Sequence, residues 1–368
     1  MKRSFIREIL EHTQSDTISF AGGLPDSTLF PHLDLRDAAT EVLSDPQTLQ
    51  YSTSTGLHRL RSQIAQHYSD QGFPTQADEI MITSGSQQAL DILCRYYSGE
   101  TIAIESPCYL GARNIFTLNK MQIDPIPLEA DGIELEHLSK SLERSTLAYL
   151  NPDFQNPTGT CYSHDKRVEI ASYFQKHQKI LIEDAPYSQL YFDKAMQSIS
   201  SMLPQHSYHL GSFSKVLAPA LRIGWIRADQ SLLTPLIPYI EAMDLHSSSL
   251  TQHIISAYLS QEHRYRAHLH RLRASYAQKM HYFAKELERT VPHFQYELPK
   301  GGMFIYGRFP DIDTMELVAK AMQEGVVFVP ASEFGGAYDA LRFNFTHSSF
   351  EEIKEGLERI AKCTTKAN

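Results

Sequence analysis

Residues 79–107 read EIMITSGSQQALDILCRYYSGETIAIESP, and their pattern indicates the fold class of the chain. Two short runs, EIMITSG and TIAIESP, are predicted strands, and SQQALDILCRYY between them has the periodicity of an amphipathic helix. The apolar residues of both runs are nearly consecutive, whereas a strand with one face in water alternates apolar and polar residues. Strands buried on both faces occur in parallel sheets that helices cover, so this stretch predicts an α/β fold.

The same alternation of strands and helices continues beyond this stretch. Further predicted strands are MQIDPIPL, TLAYLNP, KILIEDAP, YHLGSFS and RIGWIRA, with the predicted helices YLGARNIFTLNK and DKRVEIASYFQKH among them. The pattern predicts a large domain with a mostly parallel, helix-covered sheet. In such sheets, ligands bind beyond the carboxyl ends of the strands.

The sequence changes in character after Trp225. A helical region follows, with one long predicted helix over 262–290, and then short strands (FQYEL, GGMFIYGRF, VVFVP and LRFNF) mixed with two helices. This mixture predicts a smaller α+β domain. We therefore predict a large domain over 31–265, a small domain over 266–368, and an N-terminal segment, 1–30, that packs with the small domain.

Composition and charge exclude several classes of protein. With 368 residues and a formal net charge of −9, the chain lacks the basic surplus of a nucleic-acid-binding protein. No apolar run approaches the roughly 18 residues that a membrane span needs. The four cysteines, at 94, 108, 161 and 363, form no C-x-x-C pair, which favours free thiols in the cytoplasm. The 17 histidines are scattered, and HLHRLR at 268–273 is predicted to be the solvated face of a helix, so we expect no metal site.

Four stretches with reactive side chains lie where predicted strands end. They are ITSGSQQALDIL (82–93), NPDFQNPTGT (151–160), KILIEDAPYSQLY (179–191) and GSFSKVLAPALRIGW (211–225). Taken singly, the first three have ordinary structural explanations: a serine that caps a helix, a turn with two Asn-Pro pairs, and a carboxylate that caps a helix or turn. Lys215 and Arg222 in the fourth are harder to explain, because cationic side chains in an apolar stretch each need a partner.

Together the four stretches fit one cofactor, pyridoxal phosphate. This cofactor needs a lysine for its Schiff base, a carboxylate that keeps its ring nitrogen protonated so that the ring accepts electrons, and polar partners for its O3′ oxygen. Its phosphate needs a helix N-terminus, hydroxyl groups and a guanidinium. The candidate residues are Lys215 for the Schiff base, Asp184 for the ring nitrogen, Asn156 and Tyr187 for O3′, and Ser86, Ser212, Ser214 and Arg222 for the phosphate.

The ordered set of motifs resembles the fold-type I, pyridoxal-phosphate-dependent class I and II aminotransferases. Within them the chain is most similar to the branch of 2-aminoadipate and kynurenine aminotransferases and to the enzyme-like half of MocR-type regulators. The matching motifs are SFAGGLPD (19–26), LQYSTSTGLHRLR (49–61), TSGSQQALD (83–91), ESPCYLGA (105–112), NPTG (156–159), EDAPY (183–187), GSFSK (211–215), LRIGW (221–225), DLHSSSLTQ (244–252), GGMF (301–304) and LRFNF (341–345). They cover nearly the whole chain in order.

The resemblance implies a role for each candidate residue at the cofactor ring. Lys215 would be the Schiff-base lysine, and Asp184 would pair with the pyridine nitrogen. Asn156 and Tyr187 would contact O3′, and Tyr109, in ESPCYLGA, would stack on the ring.

The resemblance also implies how the phosphate is held. The residues expected to hold it are Ser86, Gln87, Ser212, Ser214 and Arg222, the first two through their backbone. Tyr51 of the partner subunit is expected to reach the same phosphate. The site therefore implies a homodimer.

Two arginines are the candidates for binding the substrate. The resemblance implies that Arg342 in LRFNF binds the α-carboxylate through two parallel bonds; without the resemblance, a surface-strand arginine in an ion pair is the favoured interpretation. Gly22 and Gly23 would let the backbone approach the substrate. The stretch SFIREIL resembles a mobile first helix, from which Arg7 would bind a distal carboxylate and favour glutamate or 2-aminoadipate. Alternatively, Arg7 is exposed and pairs with Glu11, four residues on.

The implied reaction moves an amino group from an L-amino acid to a 2-oxo acid, most often 2-oxoglutarate in relatives, with ping-pong kinetics. Lys215 would act as general base at Cα and general acid at C4′. Two other functions stay open at this stage. A β-lyase or decarboxylase on the same fold would use the same Lys215 and Asp184. A non-catalytic regulator is disfavoured by the intact lysine and aspartate, and because no DNA-binding domain precedes the fold.

Overall fold

An eight-stranded sheet forms the centre of the larger part of the computed structural model, which describes residues 16–364. A short strand, β1 (Ile18–Ser19), precedes this sheet along the chain. The strands of the sheet are β2 (Ile80–Thr83), β3 (Thr101–Ser106), β4 (Gln122–Glu129), β5 (Gly132–Ile133), β6 (Leu147–Leu150), β7 (Ile180–Asp184), β8 (Ser207–Ser212) and β9 (Gly224–Arg227). Their order across the sheet is β2-β9-β8-β7-β6-β3-β4-β5.

The sheet is mostly parallel, as predicted. Strands β4, β3, β6, β7 and β8 run in one direction, while β9 is antiparallel to both β8 and β2. Both faces are buried: Leu147 and Tyr149 of β6 pack into one apolar cluster, and Ala148 and Leu150 pack into another on the opposite face. This explains why the strands read as nearly continuous apolar runs.

Helices cover the two faces of this sheet. The α-helices of the larger part are α1 (His32–Leu43), α2 (His58–Asp70), α3 (Ser86–Tyr96), α4 (Leu110–Leu118), α5 (Leu135–Arg144), α6 (His164–His177), α7 (Gln230–Leu233), α8 (Ile237–Asp244) and α9 (Ser249–Leu259). Apolar residues of α3 and α4 belong to one cluster, and those of α5 and α6 belong to the other. Within residues 16–364, no helix combines the length and hydropathy that a bilayer span requires.

A second, smaller sheet follows the long helix α10 (Glu262–Thr290). The remaining strands and helices are β10 (Gln295–Tyr296), β11 (Phe304–Arg308), α11 (Thr314–Gln323), β12 (Val326–Val327), β13 (Val329–Pro330), β14 (Ala340–Asn344) and α12 (Phe350–Thr364). The small sheet has the antiparallel order β10-β11-β14-β13, and β1 pairs in parallel with β12. The N-terminal strand thus lies beside the smaller part, and the exact domain boundaries stay a prediction.

The prediction of a solvated face at residues 268–273 is right for His270 and Arg271, which are exposed, and wrong for the buried residues between which they lie. His268 is 2% exposed, and its Nε2 lies 2.6 Å from the carbonyl oxygen of Val216. Leu269 and Leu272 are buried in the same apolar cluster as Val216. This part of α10 therefore packs against the turn that follows β8.

Candidate active site

The carboxyl ends of the parallel strands open into a cavity of about 780 Å³. β6 ends just before Asn151, β7 ends at Asp184 and β8 ends at Ser212, so these side chains lie at one edge of the sheet. The predicted site residues that line the cavity are Gly23, Ser86, Gln87, Tyr109, Asn156, Asp184, Tyr187, Ser212, Ser214, Lys215, Arg222 and Arg342. Tyr51 does not line it, and Arg7 lies outside the described residues.

Lys215 lies in the turn after β8, and its amine donates a 2.7 Å hydrogen bond to the carbonyl oxygen of Gly23. Burial, together with the positive charges of Arg342 and Arg222, lowers the pKa of Lys215 to about 8. At pH 7.5, roughly a quarter of such amines are neutral, against about one in a thousand for an ordinary lysine. Because the neutral amine is the form that attacks a carbonyl carbon, this lysine is suited to covalent chemistry.

Asp184, the last residue of β7, has one carboxylate oxygen without a partner. Its Oδ2 accepts a 2.6 Å hydrogen bond from the Tyr149 hydroxyl, whereas its Oδ1 is buried and bonds to no described residue. Burial raises the pKa of Asp184 to about 6, although the Tyr149 bond and the charge of Lys215 favour the carboxylate. A buried, half-bonded carboxylate that lines a cavity suits a ligand with an N–H donor or a positive charge.

The neighbouring carboxylate, Glu183, has a different environment. It is fully buried, and it accepts hydrogen bonds from the Ser198 hydroxyl at 2.9 Å and from the backbone N–H groups of Ile199 at 3.1 Å and Ser200 at 2.6 Å. Successive residues of a strand point to opposite faces, so Glu183 points away from the face that Asp184 occupies. Its oxygens are used to hold the segment at Ser198–Ser200, which leaves Asp184 as the carboxylate of the cavity.

The first turn of α3 and Arg222 form a cradle of hydrogen-bond donors at the cavity. Gly85, at φ +87°, precedes the helix, and no side chain caps the first turn that starts at Ser86, so the proposed serine cap is not observed. The Arg222 guanidinium donates a 2.9 Å hydrogen bond to the carbonyl oxygen of Ser84. A Cβ atom at residue 85 would lie 2.7 Å from an Arg222 nitrogen, so a glycine is needed here. Uncapped helix N–H groups beside a guanidinium suit a phosphate.

Two hydroxyl groups complete this cradle. Ser212 and Ser214 line the cavity together with Arg222. The Ser212 oxygen accepts a 3.1 Å hydrogen bond from the backbone N–H of Ser214, which fixes the turn between them. Their hydroxyl groups are further donors for an anion in the cavity.

Tyr109 supplies an aromatic wall between β3 and α4. Its hydroxyl donates a 3.2 Å hydrogen bond to the side-chain oxygen of Gln87 in the first turn of α3. A Cβ atom at Gly111 would lie 2.4 Å from the Tyr109 ring, so glycine at 111 allows the ring to fold back over the start of α4. An aromatic ring in this position can stack on a planar ligand.

Asn156 connects Tyr187 with Arg342. Its Nδ2 donates to the Tyr187 hydroxyl at 3.3 Å, and its Oδ1 accepts from Arg342 Nη1 at 2.6 Å. Arg342 is 1% exposed, and its guanidinium carbon lies 4.2 Å from the ring centroid of Phe304 and 4.8 Å from that of Phe334. Its Nε is buried without a partner, and it forms no ion pair in the described part of the chain. The alternative of a surface arginine in an ion pair is therefore wrong, and the buried guanidinium suits an anionic ligand.

The N-terminal stretch borders the cavity with three successive backbone carbonyls. The carbonyl oxygens of residues 21–23 accept hydrogen bonds from Arg342, Asn344 and Lys215 respectively. A Cβ atom at Gly23 would make an ordinary van der Waals contact with the Lys215 amine, at 3.6 Å, so this part of the backbone lies directly beside the amine. The stretch thereby joins the end of β14 to the turn that holds Lys215.

The polar groups that support these residues were not predicted from the sequence. Asn151 donates to the Asp184 carbonyl oxygen and accepts from the Asn156 backbone N–H at 2.9 Å. Glu105, at the end of β3, accepts from the Asn151 N–H at 2.7 Å, and burial raises the pKa of Glu105 to about 7. Tyr149 is the partner of Asp184. One feature of the sequence could have pointed to these supporting residues: each is a polar or hydroxyl-bearing residue at or near the end of an apolar strand.

The residues of the cavity fit pyridoxal phosphate. The free oxygen of Asp184 is placed to receive an N–H group, and the cradle at Arg222 is placed to receive a phosphate. Lys215 lines the same cavity with a pKa near neutrality. Three of the requirements of the cofactor are thus present in one cavity: a carboxylate, a phosphate site and an amine.

Comparison with known proteins agrees with this fit. The family model for aminotransferase class I and II matches residues 17–360. The chain is 33% identical to aromatic-amino-acid aminotransferase 1 of Thermococcus litoralis, over 98% of this chain and 91% of the relative. It is 34% identical to 2-aminoadipate transaminase of Thermus thermophilus, over 98% of this chain and 94% of the relative. Its structure is similar to that of α-aminoadipate aminotransferase of Thermus thermophilus in complex with N-(5′-phosphopyridoxyl)-L-leucine, with a TM-score of 0.91, 32% identity, and coverage of 98% of this chain and 94% of that chain.

Proposed function

Because this chain belongs to the class I and II aminotransferases, we propose that the cavity at the carboxyl ends of β6, β7 and β8 is its active site. The chain is a pyridoxal-phosphate-dependent enzyme that moves an amino group from an L-amino acid to a 2-oxo acid. One observation supports this location above all others. The cavity brings together Lys215, the free oxygen of Asp184, and Arg222 beside the start of α3.

In this proposal Lys215 holds the cofactor covalently and Asp184 Oδ1 faces its ring nitrogen. Tyr109 stacks on the ring, while Asn156 and Tyr187 contact O3′. Burial raises the pKa of the Tyr187 hydroxyl, which therefore stays protonated and able to donate. The residues that hold the phosphate are Ser86, Gln87, Ser212, Ser214 and Arg222. When bound, the cofactor supplies a protonated aromatic ring that accepts the electron pair released at Cα of the donor.

Lys215 is also the proposed acid and base. Once its amine is free, Gly23 provides a carbonyl oxygen that can hold it, as in the 2.7 Å bond of the structure. The amine takes the proton from Cα of the donor and later returns it as a general acid. Its lowered pKa suits both roles near neutral pH, because neither form is rare there.

Arg342 is the proposed partner of the substrate α-carboxylate. Its Nη atoms bond to Asn156 and to the backbone at residue 21, while its Nε is buried without a partner. The stacking on Phe304 fixes the plane of the guanidinium. A carboxylate that reaches this buried guanidinium gains charge-assisted hydrogen bonds.

The side chain of the donor is proposed to lie against α4. The described wall there is largely apolar, with Leu24, Ile115 and Leu118 beside the single amide of Asn114. This wall favours leucine, phenylalanine or a similar donor. A dicarboxylic donor, and 2-oxoglutarate as acceptor, would need a second cation for the distal carboxylate, for which Arg7 is the candidate.

An Arg7→Ala variant separates these two classes of donor. If Arg7 binds the distal carboxylate, KM for 2-aminoadipate rises about tenfold or more, because a hydrogen bond to a charged group is lost. KM for leucine and phenylalanine stays nearly constant. The measurement is a panel of amino donors with 2-oxoglutarate, with Arg3→Ala as the matched control. An equal loss for acidic and apolar donors would assign Arg7 a structural role.

A homodimer is the proposed assembly. Leu49, Tyr51 and Leu245 are exposed by 59%, 78% and 56%. Tyr51 lies beside the residue that follows Leu245, because the ring centroids of Tyr51 and His246 are 5.8 Å apart and the backbone N–H of Ser52 bonds to His246 at 3.2 Å. Exposed apolar surface of this kind marks an interface between proteins. A second copy of this chain on that surface would bring Tyr51 of the partner subunit to the phosphate.

The dimer proposal has a direct test by complementation. Tyr51→Ala is expected to weaken cofactor binding about tenfold, and Lys215→Ala to be inactive. When equal amounts of the two variants are mixed, about half of the dimers contain one chain of each kind. One of the two sites in such a dimer combines an intact Lys215 with an intact Tyr51 of the partner subunit, so activity at limiting cofactor returns to roughly a quarter of the wild-type value. Tyr338→Ala, at another exposed tyrosine outside the cavity, is the control. A mixture no more active than its two components would contradict the shared site.

The cytoplasm is the proposed location. All four cysteines, Cys94, Cys108, Cys161 and Cys363, are free thiols. Free thiols are typical of proteins in a reducing compartment.

A further inference from the structure

Tyr149 and Asp184 lie side by side on neighbouring strands. β6 and β7 pair in parallel with Tyr149 opposite Ile182, so Tyr149 points to the same face as Ile182 and Asp184. The Tyr149 hydroxyl reaches Asp184 Oδ2 at 2.6 Å, and both side chains are buried. The Tyr149 ring packs against Phe116, with ring centroids 5.4 Å apart, so the phenol has little freedom to move.

The proton of this bond stays on the tyrosine. Burial and the adjacent Asp184 carboxylate raise the pKa of Tyr149 well above its usual value. The pKa of Asp184 is about 6, so the carboxylate is the acceptor near neutral pH. The phenol is thus a neutral donor to an anion.

Two other buried carboxylates, Asp26 and Asp153, have a cationic partner, whereas Glu105 and Glu183 bond, like Asp184, to neutral donors. Asp26 is paired with Lys279 at 2.7 Å, and Asp153 is paired with Arg167 at 2.7 Å. In those pairs a cation of the protein compensates the carboxylate charge. The Asp184 carboxylate instead bonds to a neutral hydroxyl, and in the described part of the chain no cation bonds to it.

We propose that Tyr149 is a positioning residue for the transamination. Its hydroxyl holds Asp184 Oδ2, so that Oδ1 faces the ring nitrogen of the cofactor and the carboxylate keeps its full negative charge. A cationic partner would compete with the ring nitrogen for this charge, whereas the phenol stabilises the carboxylate and leaves its charge in place. The inference depends on the proposed role of Asp184. Tyr149 acts through Asp184 and does not line the cavity.

Tyr149→Phe removes the hydroxyl and keeps the ring. Without its donor the carboxylate becomes more basic, so the proton shared with the ring nitrogen moves toward Asp184. We expect the protonated fraction of the ring nitrogen to fall, with the ratio of the two forms changing about tenfold or more, as for the loss of a hydrogen bond to a charged group. The readout is ¹⁵N NMR of the holoenzyme with cofactor labelled at the ring nitrogen, and kcat is expected to fall in parallel.

Tyr208→Phe is the matched control. Tyr208 is a fully buried tyrosine in β8, and its hydroxyl bonds to Tyr97 rather than to a carboxylate. It packs in the same apolar cluster as Tyr149, so its variant measures the cost of losing a buried hydroxyl. An unchanged ¹⁵N signal in Tyr149→Phe, with a loss of stability equal to that of Tyr208→Phe, would overturn the inference.

A double-mutant cycle with Asp184→Asn separates this inference from the role of Asp184. In the Asp184→Asn background, Tyr149→Phe is expected to leave the ¹⁵N signal unchanged. If Asp184→Asn alone has a normal ¹⁵N signal and a normal kcat, the proposed role of Asp184 fails. If Asp184→Asn changes both and Tyr149→Phe changes neither, only the inference on Tyr149 fails. If Tyr149→Phe does not take up cofactor, titration of the Asp184 carboxyl in the cofactor-free chain decides. Its midpoint is expected to rise by about one pH unit or more relative to Tyr208→Phe, and an equal midpoint would contradict the proposal.

Discussion

Lys215→Ala is expected to abolish measurable transamination and to eliminate the adduct that borohydride traps between cofactor and chain. The variant loses the covalent attachment and also the proposed acid and base, and proton transfer by such a group alone contributes about 10²- to 10⁴-fold in rate. The rest of the cavity is expected to keep its structure, because within residues 16–364 the Lys215 amine bonds only to the backbone oxygen of Gly23. The measurement is the rate of the half-reaction with a good donor, together with mass analysis of the reduced protein.

Two controls make this result specific. Lys194→Ala removes an exposed lysine outside the cavity and should change neither rate nor adduct. Added ethylamine, which supplies a small free base, should restore part of the rate in Lys215→Ala but not the adduct. A borohydride adduct that persists on another lysine in Lys215→Ala would refute the assignment.

Asp184→Asn has the second largest expected effect, a loss of several orders of magnitude in the half-reaction rate. An amide cannot keep the ring nitrogen protonated, and the unprotonated ring is a poor acceptor of electrons. In the wild type, affinity for the cofactor should also fall as the pH drops below about 6, because Asp184 then becomes protonated. The Asn variant should lack this pH dependence, which cofactor titration at several pH values would show.

Glu183→Gln is the control for the adjacent carboxylate. Glu183 accepts three hydrogen bonds from residues 198–200 and points away from Asp184. An amide there would disturb these bonds and lower the free energy of unfolding by about 1–3 kcal/mol, with a nearly normal half-reaction. The reverse pattern, a normal Asp184→Asn and an inactive Glu183→Gln, would move the ring-nitrogen partner to Glu183.

The regular elements of the fold were predictable because local pattern determines them. The long helix was predicted over 262–290, and the structure has it at Glu262–Thr290. The strand end at Asp184 was also predicted, because the apolar run stops there and polar residues begin; the next strand was predicted to reach Ser214 and ends two residues earlier, at Ser212. Since the carboxyl ends of parallel strands meet at one edge, these two strand ends were enough to bring Asp184 and Lys215 together.

Features that depend on a distant partner were not predictable. VVFVP was predicted as one strand, but the structure divides it: Val326–Val327 pairs with β1 and Val329–Pro330 pairs with β14. GGMFIYGRF was predicted as a strand from its first residue, but the strand begins at Phe304. Gly302 has φ +74°, and a Cβ atom there would lie 2.5 Å from Phe154, so the backbone bends where another loop approaches.

The same limit applies to the site. Lys215, Asp184 and Arg222 have distinctive chemistry, so their pattern in the sequence indicated a function. Tyr149 is one aromatic residue in an apolar strand, and only the register of β6 against β7 places its hydroxyl on Asp184. Register across a parallel sheet is set by packing on both faces and cannot be read from a single strand.

The central claim, transamination at Lys215 in this cavity, is tested most directly by one single-turnover measurement. The cofactor-loaded enzyme is mixed with an L-amino acid donor and no acceptor, and absorbance and products are followed together. We predict one equivalent of 2-oxo acid and one equivalent of the aminated cofactor per Lys215, with the original absorbance restored when 2-oxoglutarate is added. Release of ammonia or carbon dioxide with no aminated cofactor would contradict the account and indicate a lyase or a decarboxylase.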